Sequence, residues 1–132
     1  GLSLWIGEQV SSLSALPMVV VILAVTALVI FLTEITSNTA TAAAFIPVII
    51  GVAGGLGYTE HNVLLFAIPV ALAATCAFML PVATPPNAIA YGSGYVRIKD
   101  MIKAGFWLNI ISIFLITAIV MTIGTAVFDL KY

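Results

Sequence analysis

Two short clusters of uncharged polar residues interrupt an otherwise apolar sequence, and they carry the chemistry that the sequence offers. Ser37, Asn38 and Thr39 form the first cluster, and in the second Thr84 and Asn87 flank two prolines. Hydroxyl and amide groups supply oxygen acceptors and polar donors, which bind ions without forming covalent bonds. These side chains therefore predict an interior polar site that binds a ligand.

The chain as a whole has the composition of an integral membrane protein. Of its 132 residues, 63% are hydrophobic and only 7% are charged, whereas a soluble domain is about 45–50% apolar and about 25% charged. Four basic residues and a net charge of −1 argue against nucleic-acid binding, which requires a clustered basic face. The single cysteine excludes a disulfide framework and a cysteine zinc site. The small number of apolar segments leads us to expect a part of a longer multi-pass protein.

Four apolar stretches are candidates for the helices that position the two clusters: residues 16–33, 40–56, 63–83 and 104–128. A membrane-spanning helix needs about 20 apolar residues, so the last two stretches qualify and the first two are marginal. A short polar joint separates the first two, which leaves two interpretations: one helix broken at the first cluster, or a re-entrant hairpin with the cluster at its tip. Both require the cluster to lie inside protein or in a wet cavity, because lipid cannot pair backbone polar groups.

Two adjacent prolines, Pro85 and Pro86, predict the second interruption. A proline lacks a backbone donor and disfavours helix in the preceding residue, so the helix that starts at Val63 should stop near Ala83. Thr84 is expected to cap a new, short helix that includes residues 88–96, with Pro85 at its first helical position. The basic residues of the 97–103 loop place that loop in the cytoplasm by the positive-inside rule.

The two interruptions together predict a site for an anion and a cation. Helix starts present unpaired N–H groups that attract anions, and the ends of the preceding helices present carbonyls that suit a small cation. No Lys or Arg lies in the apolar stretches, so a bound carboxylate would need a co-bound cation to neutralise it. The oxygen ligands available to sodium are those of Thr33, Thr36, Ser37, Asn38 and the backbone near Ala83.

These residues resemble the divalent anion/sodium symporter family, which comprises sodium-coupled dicarboxylate and citrate transporters. The resemblance rests on Ser-Asn-Thr at 37–39 and on Leu-Pro-Val-Ala-Thr-Pro-Pro-Asn at 80–87, and it extends over nearly the whole chain. It implies an all-α membrane protein built from two inverted repeats, with residues 1–132 as the C-terminal portion of the transport domain. The implied parts are a re-entrant helical hairpin (17–56), a broken transmembrane helix (63–96) and one full transmembrane helix (104–128).

The resemblance also implies a function. The protein would be an elevator-type secondary transporter of di- or tricarboxylates such as succinate or citrate, not an enzyme, acting as a homodimer in the cell membrane. Sodium would be the coupling ion, and no other cofactor is implied. The implied substrate-binding residues are Ser37, Asn38, Thr39, Thr84 and Pro85. The implied sodium ligands are Thr33, Thr36, Asn38 and Ala83. The remaining ligands would lie in an N-terminal half, so this chain alone is not expected to transport.

Other roles and functions remain open. The alternative role of Ser37, Asn38 and Thr39 is that of a simple helix N-cap. Asn87 can brace the break or contact substrate. Glu34 is expected to pair with a basic group outside this chain, the alternative being a proton or cation ligand. The alternative functions are a sodium-independent carboxylate exchanger of the same family and an anion channel subunit. An intramembrane enzyme is disfavoured because the only histidine, His61, falls in a predicted aqueous loop.

Overall fold

The computed structural model describes residues 16–58 and 60–127, the side chains of Glu60, His61 and Thr125 excepted. Over these residues the chain is helical and contains no strand, which confirms the predicted all-α class for the described part. A 3-10 turn (Glu60–Val63) and a π-helical segment (Val120–Gly124) accompany the α-helices. The α-helices are α1 (Met18–Thr33), α2 (Asn38–Gly55), α3 (Leu64–Ala73), α4 (Pro85–Gly92), α5 (Ile98–Ile119) and α6 (Thr125–Val127).

Two of the described helical segments are long and apolar enough to cross a membrane, Asn38–Gly55 and Ile98–Gly124. The helices α1 and α3 are apolar but shorter, with 16 and 10 residues. Large apolar side chains of α5, among them Phe114 and Leu115, are more than half exposed. A helix with such an outer surface is suited to contact with lipid or with further protein, not with water.

The core lies where α1, α3 and α5 pack against one another. The short helix α3 is central, because it also contacts α2. Since lipid is as apolar as these side chains, close packing and hydrogen bonds hold such helices together more than apolar burial does. The main buried apolar side chains are Ile22, Val29 and Ile30 of α1, Leu65, Phe66 and Val70 of α3, and Ile113 and Ile116 of α5.

The helices α1 and α2 lie side by side. The four residues 34–37 connect them, and side chains of both helices line a common apolar groove of about 300 Å³. Val20 and Leu28 of α1 and Phe45 and Val52 of α2 are among the residues that line it. The break therefore begins at Glu34, three residues before the Ser-Asn-Thr cluster, and Asn38 and Thr39 already belong to α2.

The prediction of one long helix over residues 63–83 is wrong. The helix α3 ends at Ala73, and residues 74–84 form no regular helix. Two causes were overlooked. Pro81 disfavours helix in the residues before it, and the side chain of Glu34 binds backbone N–H groups of this segment, as described below. The 63–83 stretch is therefore apolar enough for a spanning helix but does not form one.

The limits of the last two helices also differ from the prediction. The helix α4 begins at Pro85 and ends at Gly92, earlier than the predicted 88–96. The helix α5 begins at Ile98, so most of the predicted 97–103 loop forms the first turns of this helix. At the start of α5, Arg97 Nε donates to Asp100 Oδ2 at 2.7 Å, and this hydrogen bond raises the pKa of the Arg97 guanidinium. The predicted end of the last helix, residue 128, lies outside the described residues.

Candidate functional site

The first break, residues 34–37, is closed mostly by its own side chains. The hydroxyl of Ser37 caps α2, because its Oγ accepts a hydrogen bond from the N–H of Ala40 at 3.4 Å. At the other end, Thr36 Oγ1 donates to the carbonyl of Leu32 at 2.9 Å. Thr36 Oγ1 also lies 2.6 Å from Thr41 Oγ1. Since the Thr36 proton is directed to Leu32, Thr41 is the donor in this second pair.

The second break, residues 74–84, ends in the helix cap that the sequence predicted. Thr84 Oγ1 accepts a hydrogen bond from the N–H of Asn87 at 3.4 Å, and Pro85 occupies the first position of α4. The side-chain amide of Asn87 turns back and donates to the carbonyls of Ala77 at 2.9 Å and Leu80 at 3.0 Å. Of the two roles left open for Asn87, the contacts therefore support bracing of the break.

Glu34 joins the two breaks. Its side chain is buried, with 3% of the residue exposed. Oε1 accepts hydrogen bonds from the N–H groups of Phe78 at 2.7 Å and Met79 at 3.0 Å, and Oε2 accepts from Met79 at 3.0 Å and Leu80 at 3.1 Å. The side-chain amide of Asn109, on α5, donates to Oε1 at 2.8 Å. Among the described residues the partners of Glu34 are thus amides of this chain, and the basic partner expected outside the chain stays a prediction.

Three oxygen atoms from separate elements converge beside the first break. Thr33 is fully buried, and its Oγ1 lies 2.7 Å from Asn38 Oδ1 and 3.0 Å from the carbonyl oxygen of Ala74. The hydroxyl has one proton and both neighbours are acceptors, so the proton serves one of them at a time. Converging oxygen acceptors form the environment that hard cations prefer, and Thr33 and Asn38 belong to the predicted sodium ligands.

Two neighbouring cavities open where the breaks meet, and Asn38 and Pro85 line both of them. The first cavity, of about 480 Å³, is also lined by Thr36, Ser37, Thr39 and Ala83. The second, of about 550 Å³, is also lined by Thr75, Thr84 and Asn87. Both volumes lie in the range of small-molecule sites, about 300–1,000 Å³. Every predicted substrate residue therefore lines one cavity or the other, as do all the predicted sodium ligands except Thr33, which bonds to Asn38.

Two polar residues of this region were missed by the sequence reasoning. Thr75 was assigned to a continuous helix, although its hydroxyl interrupts an apolar stretch and lines the second cavity. Asn109 is a lone amide in the middle of the last apolar stretch, and it is fully buried. A polar side chain at membrane depth is a signal of function in itself, and this signal would have singled out Asn109.

Helices that are interrupted at a shared polar site inside an apolar protein are typical of secondary transporters. The comparisons with known proteins agree with this class. The family model described as the sodium:sulfate symporter transmembrane region matches residues 1–130. The chain belongs to this family, which confirms the resemblance stated above. Because the family is one of transporters, the prediction that the chain is not an enzyme is also confirmed.

Curated relatives give a narrower likeness. The sodium-dependent dicarboxylate transporter SdcS of Staphylococcus saprophyticus is 46% identical to this chain over 120 residues, which are 91% of this chain and 22% of the relative. The transporter of the same name from Staphylococcus aureus is 48% identical over 120 residues, with the same shares of the two chains. The chain therefore spans 22% of the length of these relatives.

Proposed function

We propose that this chain is the C-terminal portion of a secondary transporter that carries a di- or tricarboxylate, such as succinate or citrate, across the cell membrane together with sodium. One observation carries the proposal: the N-terminal ends of α2 and α4 meet at cavities that share Asn38 and Pro85. The name of the relatives, sodium-dependent dicarboxylate transporter, supports the choice of substrate and coupling ion.

The anion is bound by dipoles and polar hydrogens. Each helix N-terminus carries a partial charge of about +0.5 and several unpaired N–H groups. The hydroxyls of Ser37, Thr39 and Thr84 and the amide of Asn38 add donors that are not charged. Among the described residues, no Lys, Arg or His lines either cavity. Two helix ends therefore offer a dicarboxylate about one positive charge in total, which leaves a deficit of about one charge.

Sodium supplies the missing positive charge. Thr33, Thr36, Asn38 and Ala83 are the proposed ligands, through side-chain oxygens or backbone carbonyls. An ion held about 4 Å from a carboxylate contributes about 4 kcal/mol where the effective dielectric constant is about 20. That energy corresponds to about a thousandfold in affinity, so binding of the anion depends on prior binding of the cation. This dependence is the physical basis of the coupling.

The proposed architecture follows the family. Residues 17–56 form a re-entrant hairpin, since α1, with 16 residues, is about 24 Å long and does not cross a hydrocarbon core of about 30 Å. Residues 63–96 form the broken helix and 104–128 the last transmembrane helix. An inverted repeat elsewhere in the full-length protein completes the site, and the full-length protein is a homodimer whose transport domain moves as an elevator.

Uptake into liposomes tests the proposal. The full-length protein should accumulate succinate or citrate when an inward sodium gradient is imposed, and a potassium gradient should have no such effect. Asn38→Ala should abolish uptake. Ser93→Ala is the matched control, because within the described part of the chain the Ser93 hydroxyl bonds only the nearby Ala90 carbonyl and the Tyr95 N–H. Liposomes that contain only this chain should show no uptake.

The same preparation separates the other candidates. Sodium without substrate should raise the melting temperature of the proposed symporter, whereas an exchanger should show no such stabilisation. Uptake that needs a carboxylate on the opposite side and ignores sodium would replace the proposal with exchange. Flux that does not saturate with substrate would replace it with a channel.

A further inference from the structure

We propose that Glu34 is a positioning residue whose carboxylate fastens the second break to the first, and that it thereby forms the shared cavities before any ligand binds. This inference rests on the proposed function, because its consequence is a change in the affinity of the transporter for sodium and substrate. Glu34 belongs to neither of the proposed ligand sets, and it does not line either cavity.

The geometry around Glu34 is that of an anion site occupied by the protein's own side chain. Three consecutive backbone N–H groups, those of Phe78, Met79 and Leu80, converge on its two oxygens at 2.7–3.1 Å. Successive N–H groups of this kind form nests that bind anions. All the hydrogen-bond partners of Glu34 among the described residues are N–H donors. A carboxylate, in which both oxygens accept hydrogen bonds, is therefore the group that matches them.

The second break needs this partner. Its N–H groups at 78–80 have left the helical ladder, and an unsatisfied backbone group at membrane depth costs several kcal/mol. Glu34 satisfies the donors, and the amide of Asn87 satisfies the carbonyls of Ala77 and Leu80 in the same segment. The side chains of Glu34 and Asn87 together hold the backbone of residues 77–80 in place. This restraint does not depend on which apolar side chains those residues carry.

The helix α5 supports the carboxylate. Asn109 is fully buried, and its Nδ2 donates to Glu34 Oε1, while its Oδ1 has no partner among the described residues. One turn earlier on α5, Gly105 allows the backbone of this helix to approach the backbone of the second break closely. A methyl group at Gly105 would overlap the Phe78 carbonyl and would lie 2.6 Å from the Met79 Cα. Glu34 is thus held between α5 and the second break.

The position of Glu34 links this clamp to the proposed ligands. Thr33 precedes it directly and Asn38 follows it by four residues, while Ala83 and Thr84 follow Leu80 by three and four residues. Without the carboxylate, sodium and substrate would have to order the second break as they bind. The apparent affinity then falls in proportion to the fraction of molecules whose second break is already ordered for binding. The transport rate at saturating sodium and substrate stays largely unchanged.

Transport kinetics of the full-length protein test the inference first. Glu34→Gln keeps the size of the side chain but replaces one acceptor oxygen with an N–H₂ group that faces backbone donors. We expect the half-saturating sodium concentration to rise about tenfold or more, equivalent to about 1.4 kcal/mol, and the maximal rate to change by less than about twofold. Glu34→Asp, which keeps the charge, should lie between Gln and wild type. Asn109→Ala should shift the same parameter in the same direction by a smaller factor.

A ligand-free measurement keeps the inference testable if transport fails. In a cysteine-free background of the full-length protein, which includes Cys76→Ala, Ala77→Cys places a thiol where the residue is 1% exposed. Glu34→Gln should speed labelling of this thiol by a soluble reagent about tenfold, and Ser93→Ala should leave the rate unchanged.

The outcomes separate the two proposals. A wild-type protein without sodium-dependent uptake overturns the proposed function, and labelling still tests Glu34. Sodium-dependent uptake with unchanged labelling, or with a lower maximal rate at an unchanged half-saturating concentration, overturns the positioning role and leaves the proposed function standing.

Discussion

The two breaks solve the same problem in different ways. The first break has four residues, and two hydroxyls within it, those of Thr36 and Ser37, close the helix ends on both sides. The second break has eleven residues, 74–84, and its backbone groups find partners outside the break: Glu34, 44 to 46 residues away, and Asn87, 7 to 10 residues away. A short turn in a membrane protein can therefore be locally self-sufficient, whereas a long irregular segment depends on side chains from other elements.

The comparison also separates two uses of polar residues. Three buried polar residues, Thr33, Glu34 and Asn109, are engaged in bonds between elements. Those that are exposed to the cavities, such as Ser37 and Thr39, keep donors or acceptors that can meet a ligand. Substitutions of the first group should therefore reduce the stability of the fold, and substitutions of the second group should reduce ligand binding.

The largest effect on stability is expected at the contact between α5 and the second break. Gly105→Ala should lower the free energy of unfolding by about 3 kcal/mol, because a methyl group overlaps backbone atoms that cannot rotate away. Gly54→Ala is the control, since a methyl group there meets no atom within 4 Å and should stabilise α2 by about 0.5–1 kcal/mol. Denaturant titration in detergent measures both, and equal effects would contradict the close approach.

Removal of the brace within the second break should have the next largest effect. Asn87→Ala leaves the carbonyls of Ala77 and Leu80 without their donor, and we expect a loss of about 2 kcal/mol. Ser93→Ala removes the bond from an exposed hydroxyl at the other end of α4 and should cost less than about 0.5 kcal/mol. If the two variants unfold at the same denaturant concentration, Asn87 is not a brace.

Two threonines on α1 provide a matched pair. Thr33→Val removes the hydroxyl that reaches the Ala74 carbonyl and should cost about 1 kcal/mol. Thr26 is equally buried, but its hydroxyl has no partner among the described residues, so Thr26→Val should be neutral or stabilising. The difference between their unfolding free energies is the observable, and a larger loss at Thr26 would contradict the assignment of these bonds.

The smallest effect on stability is expected at the cap of the first break. Ser37→Ala should cost about 0.5–1 kcal/mol. Ser37→Asp keeps a capping oxygen and should preserve stability, yet it adds a negative charge to the cavity and should reduce carboxylate uptake by the full-length protein. Full uptake by Ser37→Asp would place the substrate away from this residue.

Local rules were sufficient for part of this structure. The caps at Ser37 and Thr84 and the polar breaks themselves follow from capping preferences and proline chemistry, which act over a few residues. The length of the second break did not follow from them, since it depends on Glu34, 44 or more residues away from its partners. The bond between Asn109 and Glu34 was not predicted for the same reason. The two residues are 75 positions apart, and no local pattern encodes that contact.

The central claim is that both breaks line one site for a carboxylate and sodium. Ile35→Cys and Val82→Cys test it, since both positions are exposed, line the first cavity and belong to different breaks. In a cysteine-free background of the full-length protein, which includes Cys76→Ala, sodium with succinate or citrate should protect both thiols from labelling, with the same half-saturating concentrations. Ile89→Cys, exposed on α4 and outside that cavity, should remain unprotected. Protection of only one thiol, or of each at different concentrations, would contradict a shared site.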